Sequence, residues 1–147
     1  MATIPVFNPA TPFLGEIPGG LTIGKCICIR GQVIGDGMFT RLLQSGAAVN
    51  PRDDTPLHIS IRPGDKIIVR NSFVGGAWQK EERDGKCSVG TSGESFELQI
   101  KVKESYYTLK VDGKKFCKFK HRLPIDQTRF IHVCEGGVIE SITEEGG

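Results

Sequence analysis

The sequence predicts an all-β, antiparallel fold, a sandwich or a barrel. Three observations carry that reading. Short runs of alternating apolar and polar residues recur along the chain, and no stretch sustains a helical period. Gly (19 residues) and Pro (8 residues) punctuate the runs. The connections between runs are short turns, where parallel strands would need long crossovers.

The elements follow in chain order. Residues 1–20 are rich in Pro and Gly and are expected to run irregularly along a sheet edge. Strands are expected at Cys26–Val33, Phe39–Leu43, Leu57–Arg62, Lys66–Ser72 and Trp78–Arg83. A second set is expected at Phe96–Val102, Tyr106–Val111, Lys114–Lys118, Phe130–Cys134 and Val138–Ile142. Asn50-Pro-Arg-Asp-Asp54 reads as an exposed loop. Arg62-Pro-Gly-Asp-Lys66 joins two strands through a Pro-Gly turn. Val111-Asp-Gly-Lys114 is a hairpin signal, because Asp-Gly tolerates the positive φ of a type I′ turn. Glu135-Gly-Gly-Val138 reads as another tight reversal. No internal repeat and no linker divides the chain, so residues 1–147 are expected to form a single domain.

Bulk properties exclude several function classes. The 19 basic and 17 acidic residues leave a formal net charge of +2, too small to imply nucleic acid or an anionic membrane as partner. Lysines alternate through Lys114-Lys115 and Lys118-Phe-Lys120, which reads as the solvated face of strands. No apolar run approaches the ~20 residues that span a bilayer, and membrane insertion is not expected. The N-terminus lacks a basic segment followed by an apolar run, so no signal peptide is expected. The five cysteines (26, 28, 87, 117 and 134) show no paired zinc-ligand spacing. They read as free thiols of a reducing compartment, with local redox sensitivity as the alternative. Cys26 and Cys28, two apart on a strand, point to one face, which does not suit a disulfide. The expected localisation is cytoplasmic, with later unconventional secretion to the extracellular space left open.

One stretch is chemically distinctive. His58, Ser60 and Arg62 alternate with apolar residues and therefore share one strand face. Asn71, Trp78, Glu81 and Arg83 follow within a short span. This mixture suits a neutral polyhydroxylated ligand. Water competes for every sugar hydroxyl, so a neutral hydrogen bond contributes only about 0.5–1.5 kcal/mol and one to a charged group about 1.5–3 kcal/mol. A sugar site therefore needs a fixed array of charged and amide groups, plus a flat ring for the apolar C–H face of a pyranose. Trp supplies large area with few rotors.

Taken singly these residues have plainer readings. A lone Trp in a β protein is more often core than site, and Glu81 with Arg83 reads as an exposed ion pair. Catalysis is not expected. Glu81 and Glu82 are adjacent on a strand and point apart, so they cannot flank one glycosidic bond. No nucleophile elbow surrounds Ser60.

The combination resembles the galectins, the β-galactoside-binding lectins. Their pattern His-x-Asn-x-Arg, Val-x-Asn, Trp-x-x-Glu-x-Arg appears as His58-Ile-Ser60-Ile-Arg62, Val69-Arg70-Asn71 and Trp78-Gln-Lys-Glu81-Glu82-Arg83. The likeness covers nearly the whole chain, from Pro12-Phe13 and Ile29-Arg30-Gly31-Gln32-Val33 to Phe96-Glu-Leu-Gln-Ile100 and Phe119-Lys-His121-Arg122. The resemblance implies a two-sheet jelly-roll sandwich of roughly eleven strands with a shallow groove on one sheet.

It also implies roles. His58 and Arg62 hold the axial O4 of galactose, Trp78 stacks on its ring and Asn71 bonds its O6. Glu81 accepts from the next sugar and orients Arg62 and Arg83. No metal, cofactor or catalytic residue is implied. Two departures stand out: the family's central Asn is Ser60 here, and Pro63-Gly64-Asp65-Lys66 replaces a longer loop. They leave a second reading beside the β-galactoside lectin, a protein of the same fold with altered or weak sugar binding that acts through protein contacts. Crosslinking of glycoconjugates needs a second site, from a homodimer or a tandem second domain.

Overall fold

The structure, a computed structural model, describes residues 2–34, 38–85, 93–134 and 138–146. Within them the chain forms strands β1 (Ala2–Thr3), β2 (Val6–Phe7), β3 (Phe13–Glu16), β4 (Cys26–Gln32), β5 (Phe39–Gln44), β6 (Thr55–Arg62), β7 (Ile67–Val74) and β8 (Ala77–Trp78). The remaining strands are β9 (Ser95–Val102), β10 (Tyr106–Val111), β11 (Lys114–Lys120), β12 (Phe130–Val133) and β13 (Val138–Glu145). They build a seven-stranded sheet in the order β1-β3-β12-β5-β6-β7-β8 and a six-stranded sheet in the order β11-β10-β9-β4-β13-β2. Pairing is antiparallel throughout except for β1 beside β3. This is the two-sheet sandwich expected.

Alternation decides which residues the sheets bury. Leu57, Ile59 and Ile61 of β6 face Ile27 and Ile29 of β4, Leu98 and Ile100 of β9, and Leu109 of β10 in one continuous core. Each such side chain stabilises the fold by about 1.5–3 kcal/mol on burial. The intervening His58, Ser60 and Arg62 therefore emerge on the outer face of the seven-stranded sheet. On the six-stranded sheet, β11 is lysine-bearing at the edge, with Lys114, Lys115, Lys118 and Lys120 exposed, as the alternation predicts.

The predicted turns form. Asp112 (φ 50°) and Gly113 (φ 82°) close the β10–β11 hairpin with two positive φ values. The Pro-Gly connection after β6 is a single 3₁₀ turn, Pro63–Asp65, closed by Lys66 in the left-handed region at φ 56°. Residues 135–137 of the reversal expected at Glu135-Gly-Gly-Val138, and Cys87, lie outside those described.

Three expectations need correction. Residues 2–20 run along the sheet edges as expected but are not irregular throughout: β3 pairs with β12, β1 extends the seven-stranded sheet at its edge and β2 the six-stranded one at its edge. Residues 50–54 are only partly exposed, because Asp53 accepts from the Ala48 amide at 2.9 Å and Asp54 from the Gly75 amide at 2.9 Å. The strand expected at Trp78–Arg83 stops at Trp78. Beyond it the backbone meets β7 at two points, where the Gln79 amide donates to the Ser72 carbonyl at 3.0 Å and at the Arg70–Glu82 bridge. Side chains take the carbonyls that a ladder would have paired: Asn71 Nδ2 donates to the Gln79 carbonyl at 3.0 Å, and Arg122 Nη2 to that of Lys80 at 2.7 Å.

No disulfide forms among the described cysteines. Burial, reinforced by Cys28, pushes the Cys26 thiol up to about 12. No helix among the described residues is long and apolar enough to cross a membrane.

Candidate ligand-binding site

The outer face of the seven-stranded sheet carries a cavity of about 240 Å³ lined by His58, Arg62, Val69, Asn71, Trp78, Gln79 and Glu81. Five of the seven residues singled out in the sequence thus converge. Strand β6 contributes His58 and Arg62, β7 contributes Asn71, β8 contributes Trp78, and the segment after β8 contributes Glu81. Ser60 and Arg83 stand outside the lining.

Trp78 forms one wall and is 50% exposed. Its indole is braced edge-on by His58, with centroids 4.6 Å apart, and by its cross-strand partner Phe73, at 4.9 Å. Half of its surface stays free for an apolar ligand face, with the ring held in place.

His58 is a neutral ring. Burial lowers its pKa to about 4, the Arg52 and Arg62 guanidinium groups push the same way, and Glu81 opposes them. A neutral imidazole offers one donor and one acceptor. Its Nδ1 is buried without a partner.

Arg62 Nε donates to Ser60 Oγ at 3.3 Å. Ser60 is only 1% exposed, between Thr40 of β5 and Val69 of β7 in the register. In this arrangement the short hydroxyl props Arg62.

Asn71 is held on three sides. Its Oδ1 accepts from the Ser72 amide at 2.7 Å and from Arg122 Nη1 at 3.1 Å, while Nδ2 donates to the Gln79 carbonyl. One amide hydrogen is left over for a ligand.

Glu81 accepts from Arg83 Nε at 2.7 Å in an exposed pair, which contributes under about 1 kcal/mol. The expected pairing of Glu81 with Arg62 does not form among the described residues. Glu82, its neighbour, turns away and accepts from Arg122 Nη2 at 2.9 Å.

Sequence reasoning missed the support beneath this rim. Arg122, which the sequence shows only within a motif after the lysine-rich β11, leaves the six-stranded sheet and reaches Asn71, Ser72, Lys80 and Glu82 of the other. Arg70, fully buried, donates to the Asp84 carbonyl and to its carboxylate, each at 2.8 Å, with its guanidinium 5.1 Å above the Phe116 ring. The segment carrying Glu81 is therefore pinned on both flanks. The available signal was charge: Glu82 lies beside Glu81, and a half-buried carboxylate calls for a cation.

The family model described as galactoside-binding lectin matches residues 12–143. A 32 kDa beta-galactoside-binding lectin of Haemonchus contortus is 29% identical over 151 residues, covering 96% of this chain and 53% of that protein. Galectin-4 of Homo sapiens is 31% identical over 144 residues, covering 97% of this chain and 44% of that protein. The chain thus spans about half the length of these relatives. Among solved structures, Caenorhabditis elegans galectin LEC-6 superposes with a TM-score of 0.83 at 24% identity, covering 96% of this chain and 95% of that one, a likeness of fold. Sheep galectin-11, in complex with glycerol, gives a TM-score of 0.78 at 25% identity, covering 93% and 99%.

Proposed function

The chain belongs to the galactoside-binding lectin family, and from that premise we propose that it is a single carbohydrate-recognition domain for β-galactosides of the lactose or N-acetyllactosamine type. One observation carries the proposal: His58, Arg62, Asn71, Trp78 and Glu81 line one open cavity on the outer face of a rigid sheet. The neutral His58 ring and the Arg62 guanidinium hold the axial O4 of galactose. Trp78 covers the C–H face of that ring. The spare Asn71 amide hydrogen reaches O6, and Glu81, oriented by Arg83, accepts from the neighbouring sugar. The ligands are glycans and glycoconjugates, with no role for nucleic acid or membrane insertion.

The role is binding without catalysis. Glu81 and Glu82 face different arginines, Arg83 and Arg122, so they do not make the facing carboxylate pair that glycoside hydrolysis uses. Affinity per site is modest. Where the family has Asn this chain has Ser60, and one missing hydrogen bond to the sugar costs about 1–3 kcal/mol, roughly tenfold to a hundredfold. Crosslinking then needs a homodimer or a second domain. The protein is made in the cytosol and meets extracellular glycans by unconventional secretion.

Retention on immobilised lactose with elution by free lactose tests the proposal. A chain that runs through the column at low salt is not a β-galactoside lectin. Acting through protein contacts would then be the better reading.

A further inference from the structure

The outer face of the six-stranded sheet gathers lysines that the lectin chemistry does not use. Leu98 and Ile100 of β9, Tyr107 and Leu109 of β10 and Phe119 of β11 point into the core, so the residues between them face out. In the register, Lys101 of β9 and Lys118 of β11 flank Thr108 of β10. Lys110 of β10 stands beside Lys115 of β11, and Lys120 beside Tyr106. Five ammonium groups thus share a three-stranded patch roughly 10 Å wide and 15 Å long.

That arrangement costs free energy. Like charges directly opposite each other destabilise a sheet, and Lys110 faces Lys115. None of the five lysines forms an ion pair among the described residues. Glu97, on the same face of β9, is taken by Arg30. The whole chain carries a formal net charge of only +2, so the excess is local to this face. An anion from another molecule is the missing partner.

A cavity of about 260 Å³ on this face indicates the chemistry of that partner. Lys101, Lys110 and Gln99 bring donors to its wall. Glu145, opposite Cys26 on β13, brings an acceptor to the same cavity. Two ammonium groups and an amide call for an anionic group, whereas the carboxylate repels a second anion and takes a hydroxyl hydrogen. A chain that carries both anionic groups and hydroxyls satisfies all four side chains. A sulfate ester stays ionised at neutral pH and spreads its charge over several oxygens, which suits point-charge lysines.

We propose that the outer face of β9, β10 and β11 binds a linear sulfated polysaccharide. One sulfate sits between Lys101 and Lys110, a hydroxyl meets Glu145, and the chain continues over Lys115, Lys118 and Lys120. Nucleic acid fits less well. Lys118 Nζ lies 4.6 Å from the Tyr106 ring centroid, so no free aromatic platform is left on the patch for bases. A membrane also fits less well, because none of the exposed large apolar residues among those described lies on these three strands.

The experiment passes the full chain over immobilised heparin, a sulfated polysaccharide, with saturating free lactose present to fill the galactoside groove. Expected are retention at low salt, elution by NaCl as the charges are screened, and at least tenfold weaker binding in Lys110→Gln/Lys118→Gln. Lys80→Gln/Arg129→Gln removes the same charge from exposed positions off the patch and should bind as the wild type does. Flow-through of the wild-type chain at low salt overturns the proposal, and so does equal retention of Lys110→Gln/Lys118→Gln. Heparin retention that appears only without lactose places the sulfated chain in the groove and overturns it. Equal affinity for a single-stranded oligonucleotide, lost in the same variant, overturns the assignment to a polysaccharide. Lys110→Gln/Lys118→Gln should keep its retention on lactose, so the outcome is separate from that of the lectin proposal.

Discussion

Arg122 Nη1 donates to Asn71 Oδ1 at 3.1 Å, joining residues 51 positions apart, one just past the end of β11 in the six-stranded sheet and the other on β7 of the seven-stranded sheet. The same guanidinium reaches Ser72 Oγ, the Lys80 carbonyl and the Glu82 carboxylate. Through one side chain, the orientation of the Asn71 amide and the path of the segment carrying Glu81 become a single structural unit.

Arg122→Ala should therefore weaken lactose binding about tenfold, although Arg122 does not line the cavity. It should also lower stability by roughly 1.5–3 kcal/mol in urea unfolding, since partly buried acceptors lose a charged donor. Arg122→Lys should restore little, because an ammonium cannot replace the guanidinium fork. Wild-type lactose affinity in Arg122→Ala would show that Asn71 is held without it.

Trp78→Ala should abolish retention on immobilised lactose and leave the urea midpoint nearly unchanged. Trp78 is 50% exposed and sits on a two-residue edge strand, so its removal disturbs little of the core. In the wild-type chain Trp78 is the only indole, and its emission should shift on titration with lactose. Retention of Trp78→Ala with normal elution would place the sugar elsewhere.

Ser60→Asn should strengthen lactose binding about tenfold, or ~1.4 kcal/mol, by returning an amide beneath the ligand. Isothermal titration of the two proteins makes the comparison. Weaker binding would mean that the Ser60 hydroxyl beneath Arg62 is the better fit to this groove, and that the preferred glycan departs from lactose.

His58 makes stability depend on pH in a defined direction. Its folded pKa of about 4 lies below the ordinary value of 6.5. Between these values the unfolded chain binds the proton and the folded one does not. Stability is then full above pH 6.5 and falls as pH drops toward 4. His132, whose pKa burial also lowers, acts in the same direction. Urea unfolding at pH 7.5 and pH 5 should differ by roughly 1–3 kcal/mol. His58→Gln should flatten part of that slope, and an identical slope in His58→Gln would contradict the assignment. Lactose affinity should stay level down to about pH 5, because His58 remains neutral there.

The sandwich was legible because burial on one face writes a period of two into the sequence, as in Leu57, Ile59 and Ile61 against His58, Ser60 and Arg62. That five of the named residues share one cavity was legible for the same reason, together with the spacing of a known motif. What escaped was set by pairing at long range. Strand β3 is four residues long and gains its order from β12, more than a hundred positions away. The segment after Trp78 alternates like a strand but is held by the side chains of Asn71 and Arg122, and no local pattern encodes partners that distant. Ser60 reads in the sequence as an open ligand group, and its burial beneath Arg62 depends on a rotamer that sequence does not state.

The opening segment has a consequence for the whole sandwich. Within six residues it lays β1 along one sheet and β2 along the other, with Ile4 buried between them. The Ile4 amide donates to the Glu16 carbonyl at 3.0 Å, and the Asn8 amide to the Glu140 carbonyl at 2.8 Å. The segment works as a clasp across the side where the two layers would otherwise gape. Undoing it leaves β3 and β13 as bare edges with unsatisfied amides and carbonyls, each a template for strand addition from another molecule. At these two edges, protection against strand addition therefore rests on residues 2–7.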